Sequence, residues 1–375
     1  MSGSEQPSTA TVPPVGRSGI LLLRLGRRDG LPDVYRRRDY RSIAIFAAIA
    51  IAVRALFFGG ISGQLSYNLF LIYAIAALGF YLVFGIAGRF AFSQTFMMAL
   101  GAYLTAWMSA SLPVWQAMIY SLVISAAVAL LLAVLLIRTN EFYFGIATLA
   151  IAGIGTIVFE TWTGFAGPSG ERYNIPPFQI GAFVAESETQ FFWVVLVGLL
   201  LALLIVSLIE RSPLRREAIA ARDLPLVART LGIPVARIGV VMFVLGSTFG
   251  AVAGSLYGQC LGVISPDSFG IDLSIGIFLM AILGGLGSMW GVIIGAAFYV
   301  FVPQYLQSFS QYQNIIFGAL LVVILIVLPE GLVGAVTKAR DLRRGRPHQS
   351  PGPGGDGGAL RWLAGAVNHA RGDRS

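Results

Sequence analysis

Residues 191–209 read Phe-Phe-Trp-Val-Val-Leu-Val-Gly-Leu-Leu-Leu-Ala-Leu-Leu-Ile-Val-Ser-Leu-Ile, and the chain then turns at Glu210-Arg211-Ser212-Pro213 into a segment carrying arginine as far as Arg237. An uncharged apolar run of this length is close to the roughly 20 residues a helix needs to cross the hydrocarbon layer of a bilayer. Arginines gathered directly beyond its end mark the cytoplasmic side. One stretch therefore supplies a spanning helix and its direction.

The composition of the whole chain agrees. Of 375 residues, 56% are hydrophobic and 12% charged, against about a quarter charged in an ordinary soluble domain. There is too little polar surface to cover a folded core of that size, so lipid must cover it. The single cysteine, Cys260, excludes an intrachain disulfide and a cysteine-based metal cluster, and reads as a buried small apolar residue. His348 and His369 lie in a polar tail, which leaves the apolar body without imidazole for catalysis, proton relay or metal ligation. No catalytic, cofactor-binding or metal-binding residue can be named. The net charge of +8 is placed in clusters flanking apolar segments, as loops facing an anionic leaflet require. It does not form a nucleic-acid-binding module.

Working outward from 191–209, charge, proline and glycine divide the chain into candidate spans at 42–58, 66–87, 90–110, 114–137, 142–161, 191–209, 238–261, 272–287, 289–305 and 315–333. The hinges at Gly88-Arg89 and Ser288 are so short that broken or re-entrant helices are an alternative there. Starting inside and crossing ten times puts 24 of the 26 basic residues on the inner side, with only Arg54 and Arg172 elsewhere. The 162–190 loop carries Glu171, Glu186 and Glu188 and suits the outer face. Arg54 is close enough to the end of its span to snorkel. The expected fold is an all-α polytopic transmembrane bundle of about ten spans, eight at the fewest, with both termini cytoplasmic. Three regions follow: a basic arm at 1–41, a membrane domain at 42–335 containing the inner loop 210–237, and a Gly/Pro-rich basic tail at 336–375.

Within the loop Glu210–Arg237, Ser212 is a candidate cap for a short helix opened by Pro213, and Gly232 followed by Pro234 is a stop signal. Two readings of that helix stand. Ile219, Leu226 and Leu231 fill a groove on a soluble partner while arginines contact its rim, or the segment is a membrane-hugging connector. Gly246, Gly250, Gly254 and Gly258 recur every fourth residue, as do Gly287, Gly291 and Gly295. That spacing places them on one helix face where a neighbouring backbone approaches closely, for static packing or as a sliding surface. Asn68, Ser93, Gln94, Thr95, Glu160 and Asp272 are polar groups within or at the ends of spans. Such groups are costly in lipid unless paired or facing water, which makes them candidates for a translocation path. Glu160 and Asp272 also lie where they reach the outer interface.

The only lysine is Lys338, followed by alanine, so no GxxxxGK[ST] phosphate loop exists. A deep carboxylate pair for coupled proton chemistry is missing as well. If the protein pumps, its energy arrives through a partner.

Several ordered motifs carry a resemblance: Gly85-Ile-Ala-Gly-Arg-Phe-Ala-Phe-Ser-Gln94 to Gly101-Ala-Tyr103; Phe142-Tyr-Phe-Gly-Ile-Ala-Thr-Leu149; Leu231-Gly-Ile-Pro-Val235; Ala253-Gly-Ser-Leu-Tyr257 through Ile264-Ser-Pro-Asp-Ser-Phe269; and Leu283-Gly-Gly-Leu-Gly-Ser-Met-Trp-Gly291. In this order, across roughly residues 65–335, the chain resembles the LivM-like permeases of ABC importers for branched-chain amino acids, a family with relatives that handle urea, amides and sugars. The resemblance implies a second permease subunit, two ABC ATPase subunits, a periplasmic solute-binding protein and a small polar solute as cargo, in a bacterial inner membrane. It also implies that Arg215, Arg216, Glu217, Arg222, Asp223, Leu231 and Gly232 belong to the loop that couples to the ATPase. Two departures stand out: Leu224-Pro225 replaces a polar-acidic pair after Arg222-Asp223, and Arg89-Phe90-Ala91 replaces a more usual Gln-Leu-Ser. The alternative function is a stand-alone channel or secondary carrier; a membrane enzyme has no residues to perform it.

Overall fold

The computed structural model describes residues 33–57, 61–136, 139–181, 183–185, 187–306, 312–327 and 331–332. The arm before Asp33, Arg138 and the tail from 336 onward lie outside the described residues. Residues 1–46 and 47–375 are two separate units. In the first, residues 33–46 are helical and begin α1, Asp33–Phe57, so the helix starts inside the region expected as an arm.

The second unit continues with α2, Ile61–Phe80, which widens into a π turn at Tyr81–Ile86. There follow α3 (Gln94–Met108), α4 (Val114–Leu136), α5 (Glu141–Thr161), α6 (Glu188–Arg211), the short pair α7 (Pro213–Asp223) and α8 (Pro225–Thr230), then α9 (Val235–Leu261), α10 (Ile271–Gly284), α11 (Met289–Tyr305) and α12 (Gln313–Val327). The only strands among the described residues are a two-residue antiparallel pair, Gln179–Ile180 with Phe183–Val184, in the α5–α6 connection. The protein is an all-α, multi-pass membrane bundle.

Six helices among the described residues are long and apolar enough to cross a bilayer: Gly63–Ile86, Val114–Leu136, Glu141–Thr161, Glu188–Arg211, Val235–Leu261 and Pro266–Gly284; Ser42–Arg54, Met289–Tyr305 and Ile315–Ile324 are shorter apolar helices. The third expected span begins only at Gln94, and at 1.5 Å per residue α3 covers only about 22 Å. The cause is local. Gly88 has φ +73° and Gly285 has φ +101°, left-handed conformations that favour glycine and end a helix. The chain is thus broken after the π turn and again between α10 and α11.

Side-chain size is sorted inside out relative to a soluble helix. On α4 the buried residues beyond Val114 in the first turn are Ala117, Ser121, Ser125, Ala129 and Ala133, while Val123, Leu131, Val134 and Leu135 face outward. In lipid, apolar residues gain nothing by turning inward, whereas small ones let backbones touch. Very close approaches fall on α9 and between α10 and α11. A Cβ at Gly246 would strike the Gly79 carbonyl and Val83, one at Gly254 the Met98 carbonyl, and one at Gly101 the backbone of Ala251. Gly250 faces Gln94, and Gly258 faces the side chains of Ile264 and Ile175 rather than backbone. Between α10 and α11, Gly284 meets the Gly291 carbonyl and Gly295 that of Met280, but Gly287 has nothing within 4 Å. Gly287 sits in the exposed turn and takes no part in packing.

Overpacking a close backbone contact costs about 1–3 kcal/mol. Gly254→Ala should therefore lower the unfolding midpoint of the purified protein in detergent, while Gly287→Ala leaves it unchanged. Equal midpoints for the two variants would refute the assignment of α9 as the tight face.

Candidate functional site

At the first break three polar residues hold exposed backbone. The Gln94 Nε2 donates to the carbonyls of Ala76 and Gly246, each at 3.1 Å, tying α3 to α2 and α9. Thr95 and Ser274 are bonded through their hydroxyls, and Ser274 Oγ donates to the Phe92 carbonyl at 3.0 Å. Thr148 Oγ1 accepts from the Phe92 N–H at 3.1 Å and donates to the Gly145 carbonyl at 2.9 Å. Ser93 is buried at the N-terminal boundary of α3. Farther along α3, Ser121 and Ser255 both donate to the Gly101 carbonyl, and Thr105 bonds to Ser255.

The candidate path residues are not brought together. Gln94 and Thr95 direct their polar atoms at neighbouring helices. Asn68 lies elsewhere: its Nδ2 donates to the Glu188 carboxylate at 2.7 Å and to the Glu188 carbonyl at 3.3 Å. Glu160 and Asp272 are exposed. Arg54 joins the Asn68 group rather than snorkelling to water. It is 9% exposed, reaches Gln64 and the Glu188 carbonyl at 3.4 Å, and stacks 3.9 Å above the Phe192 ring. The aromatic face and converging carbonyl oxygens hold the guanidinium in place. Cys260 is partly exposed rather than buried.

In the α5–α6 connection, Arg172 and Ile264 pair their backbones, Arg172 Nε donates to the Phe165 carbonyl at 2.8 Å, and Tyr103 donates to the Gly170 carbonyl at 2.6 Å. Burial pulls the Arg172 guanidinium below its ordinary pKa. These contacts clamp the connection across the ends of α3 and α9.

The segment between α6 and α9 is two helices, not one. Leu224-Pro225 makes a corner, because proline cannot continue α7 but is well placed to open α8. Ser212 precedes Pro213 but does not cap α7; its hydroxyl donates backward to the Ile209 carbonyl at 2.7 Å. Gly232 ends the pair with φ +80°. Arg216, Asp223, Leu224, Leu226, Val227, Arg229 and Leu231 are exposed, Arg215 and Glu217 half-buried, and Leu226 is 77% exposed.

Two bonds tie the π turn to this segment and to the last turn of α6. Arg222 Nη1 donates to the Gly85 carbonyl at 2.8 Å, and its aliphatic stem lies against Gly88, where a Cβ would be 2.6 Å from Arg222 Cγ. Tyr81 donates to the Glu210 carboxylate at 2.6 Å. Gly85 in turn faces the Leu286 carbonyl of the second break. Beneath them a cavity of about 840 Å³ is lined by Arg89, Asn140, Glu141, Arg222, Arg229 and Gly239, among others. Arg89 lies 5.3 Å from the Phe144 ring. Sequence reasoning missed Tyr81, Glu210, Ser255 and Ser274; tyrosine and serine inside apolar runs gave no pattern that singled them out.

Over residues 64–325 the chain matches the family described as branched-chain amino acid transport system, permease component. The high-affinity branched-chain amino acid transport system permease protein LivM of Salmonella typhimurium is 27% identical over 301 residues, which cover 74% of this chain and 71% of the relative. LivM of Escherichia coli is 26% identical over 303 residues, with the same coverage. The permease protein LivH of Salmonella typhimurium is 28% identical over 286 residues, covering 70% of this chain and 91% of the relative. No solved structure matches.

Gln94 makes two interhelical bonds, and such bonds in lipid are worth about 0.6–2 kcal/mol each. Gln94→Leu should lower the detergent unfolding midpoint more than Gln116→Leu on α4. A midpoint equal to wild type would show that the amide contributes nothing to packing at the break.

Proposed function

This chain belongs to the family of branched-chain amino acid transport system permease components, and on that premise we propose that it is the membrane-spanning subunit of an ATP-driven importer carrying branched-chain amino acids or closely related small polar solutes across the bacterial inner membrane. Ten crossings with both termini inside account for the placement of arginine. In that threading the breaks at Gly88 and Gly285 and the α7–α8 segment face the cytoplasm, and the α5–α6 connection faces outward.

The chain has no phosphate loop, so hydrolysis falls to two ABC ATPase subunits, with a second permease completing the passage and a periplasmic binding protein delivering cargo. The α7–α8 pair is the coupling element. Leu224, Leu226, Val227 and Leu231 offer apolar area and Arg229 a charged edge, the chemistry of a helix that enters a groove on a soluble partner. The observation that carries this reading is the Arg222–Gly85 bond. A push on α7 is delivered through Arg222, with Tyr81–Glu210 as a second link, to the π turn where α2 ends. Without those bonds the segment would only connect α6 to α9.

Hydrogen bonds to charged groups contribute about 1.5–3 kcal/mol. In proteoliposomes holding the assembled importer, Arg222→Gln should cut ATP-dependent leucine uptake about tenfold or more, with ATPase association and hydrolysis retained and Arg222→Lys partly restoring uptake. Wild-type-like uptake by Arg222→Gln would remove the coupling role. Uptake by this chain alone, driven only by a solute gradient, would replace the importer reading with a stand-alone carrier.

A further inference from the structure

A second cavity, of about 390 Å³, opens beside α2 and α11 and is lined by Tyr73, Tyr299, Val300, Pro303, Gln313 and Phe317. Its depth follows from helix geometry. Tyr73 is about 18 Å along α2 from Ile61, and Tyr299 about 15 Å along α11 from Met289, at 1.5 Å per residue. In the proposed threading both lie well inside a hydrocarbon layer about 30 Å thick. Tyrosine is favoured at the interfaces rather than here, and lipid cannot satisfy a phenol hydroxyl.

Further polar groups meet the same space. Pro303 has no N–H, so the Tyr299 carbonyl lacks its usual helical donor. Gln313 Nε2 donates to the Pro303 carbonyl at 3.1 Å. Gly276 on α10 makes room for the Tyr299 hydroxyl, with which a Cβ would collide. The Tyr73 and Tyr257 rings lie 6.1 Å apart, and the Tyr257 ring is 5.4 Å from that of Phe269 in the turn Pro266–Phe269. Aromatic side chains therefore lead from that turn to the chamber. Val300 and Phe317 supply an apolar wall, and the volume falls in the range of about 300–1,000 Å³ usual for small-molecule sites.

We propose that this cavity is a solute-holding station on the translocation path, taking a small zwitterion with an aliphatic side chain. The Tyr73 and Tyr299 hydroxyls and the Tyr299 carbonyl face the charged end, and Val300 and Phe317 face the aliphatic end. The proposal rests on the importer reading and adds to it a place and a chemistry for the cargo. Gly276 is a positioning residue that acts through Tyr299.

The test uses the assembled importer in proteoliposomes, in a Cys260→Ala background that retains uptake. Val300→Cys is expected to react with a water-soluble methanethiosulfonate reagent, and L-leucine to protect it, while 4-methyl-2-oxopentanoate, which lacks the ammonium group, does not. Ile294→Cys, on the exposed face of the same helix, should stay unlabelled. Tyr299→Phe and Gly276→Ala should each raise the leucine concentration for half-protection several-fold, with assembly unchanged. Leucine uptake with Val300→Cys unlabelled, or labelled but unprotected, overturns the station and leaves the importer reading intact. Equal protection by leucine and the keto acid overturns zwitterion recognition. Absence of wild-type leucine uptake overturns the importer reading, and the station with it.

Discussion

A backbone that stops being helical where water does not reach it must find hydrogen-bond partners within the protein, since a buried N–H or C=O left unpaired is costly. The rest of this structure depends on that requirement at the two breaks, Gly88 and Gly285. After the π turn, the residues up to Gln94 are served by the Ser274 and Thr148 hydroxyls, and Gln94 binds carbonyls on two flanking helices. The glycine face of α9 is the other half of the arrangement. A short side chain reaches a carbonyl on the next helix only if the helix axes are close, and Gly246 and Gly254 bring α9 against α2 and α3. Glycine packing and hydroxyl bonding are one device, because each would be ineffective without the other.

The same requirement separates rigid parts from deformable ones. Where α2 crosses α9, the contact is backbone against backbone, and side chains there have no slack to absorb movement. The π turn beyond it is wider than an α-helical turn, is followed by the left-handed Gly88, and is held by Arg222 at Gly85 and by Glu210 at Tyr81 through single bonds. A pull on α7 therefore meets a soft terminus first and a stiff helix after it. π turns are uncommon and concentrate at functional sites, and this one lies between the α7–α8 segment and the helix bearing Tyr73.

Much of the fold was legible because it rests on quantities that survive without coordinates. The apolar runs at 114–137, 142–161 and 191–209 end within a few residues of α4, α5 and α6, since length and charge alone decide what crosses lipid. The boundary at Gln94 was not legible in the same way. Residues 90–93 are as apolar as a helix, and only the left-handed Gly88 stops them from being one. The segment 210–237 announced itself through Pro213 and Gly232, but the corner at Leu224 was read as a departure in composition rather than as a bend. Asn68, Gln94 and Thr95 were found by the cost of polar groups in lipid. That cost is met equally well by a neighbouring carbonyl and by a water-filled path, so it identifies unusual residues without telling packing from conduction. Tyr73 and Tyr299 escaped because tyrosine counts as apolar in a hydropathy scan, and depth becomes visible only when helices are laid side by side.

Depth also relates the two cavities. The larger one, bordered by Arg89, Arg222 and Arg229, is charged and sits against α7 and α8; the other is bounded by tyrosines and carbonyls with no basic lining. A zwitterion held among arginines would be gripped by its carboxylate and released slowly, whereas hydroxyls and a carbonyl orient both of its charges without binding either as an ion pair. A station within the membrane must let go as readily as it takes up, so neutral groups suit it. The arginines line the other cavity instead, where Arg222 also holds the backbone beside the break.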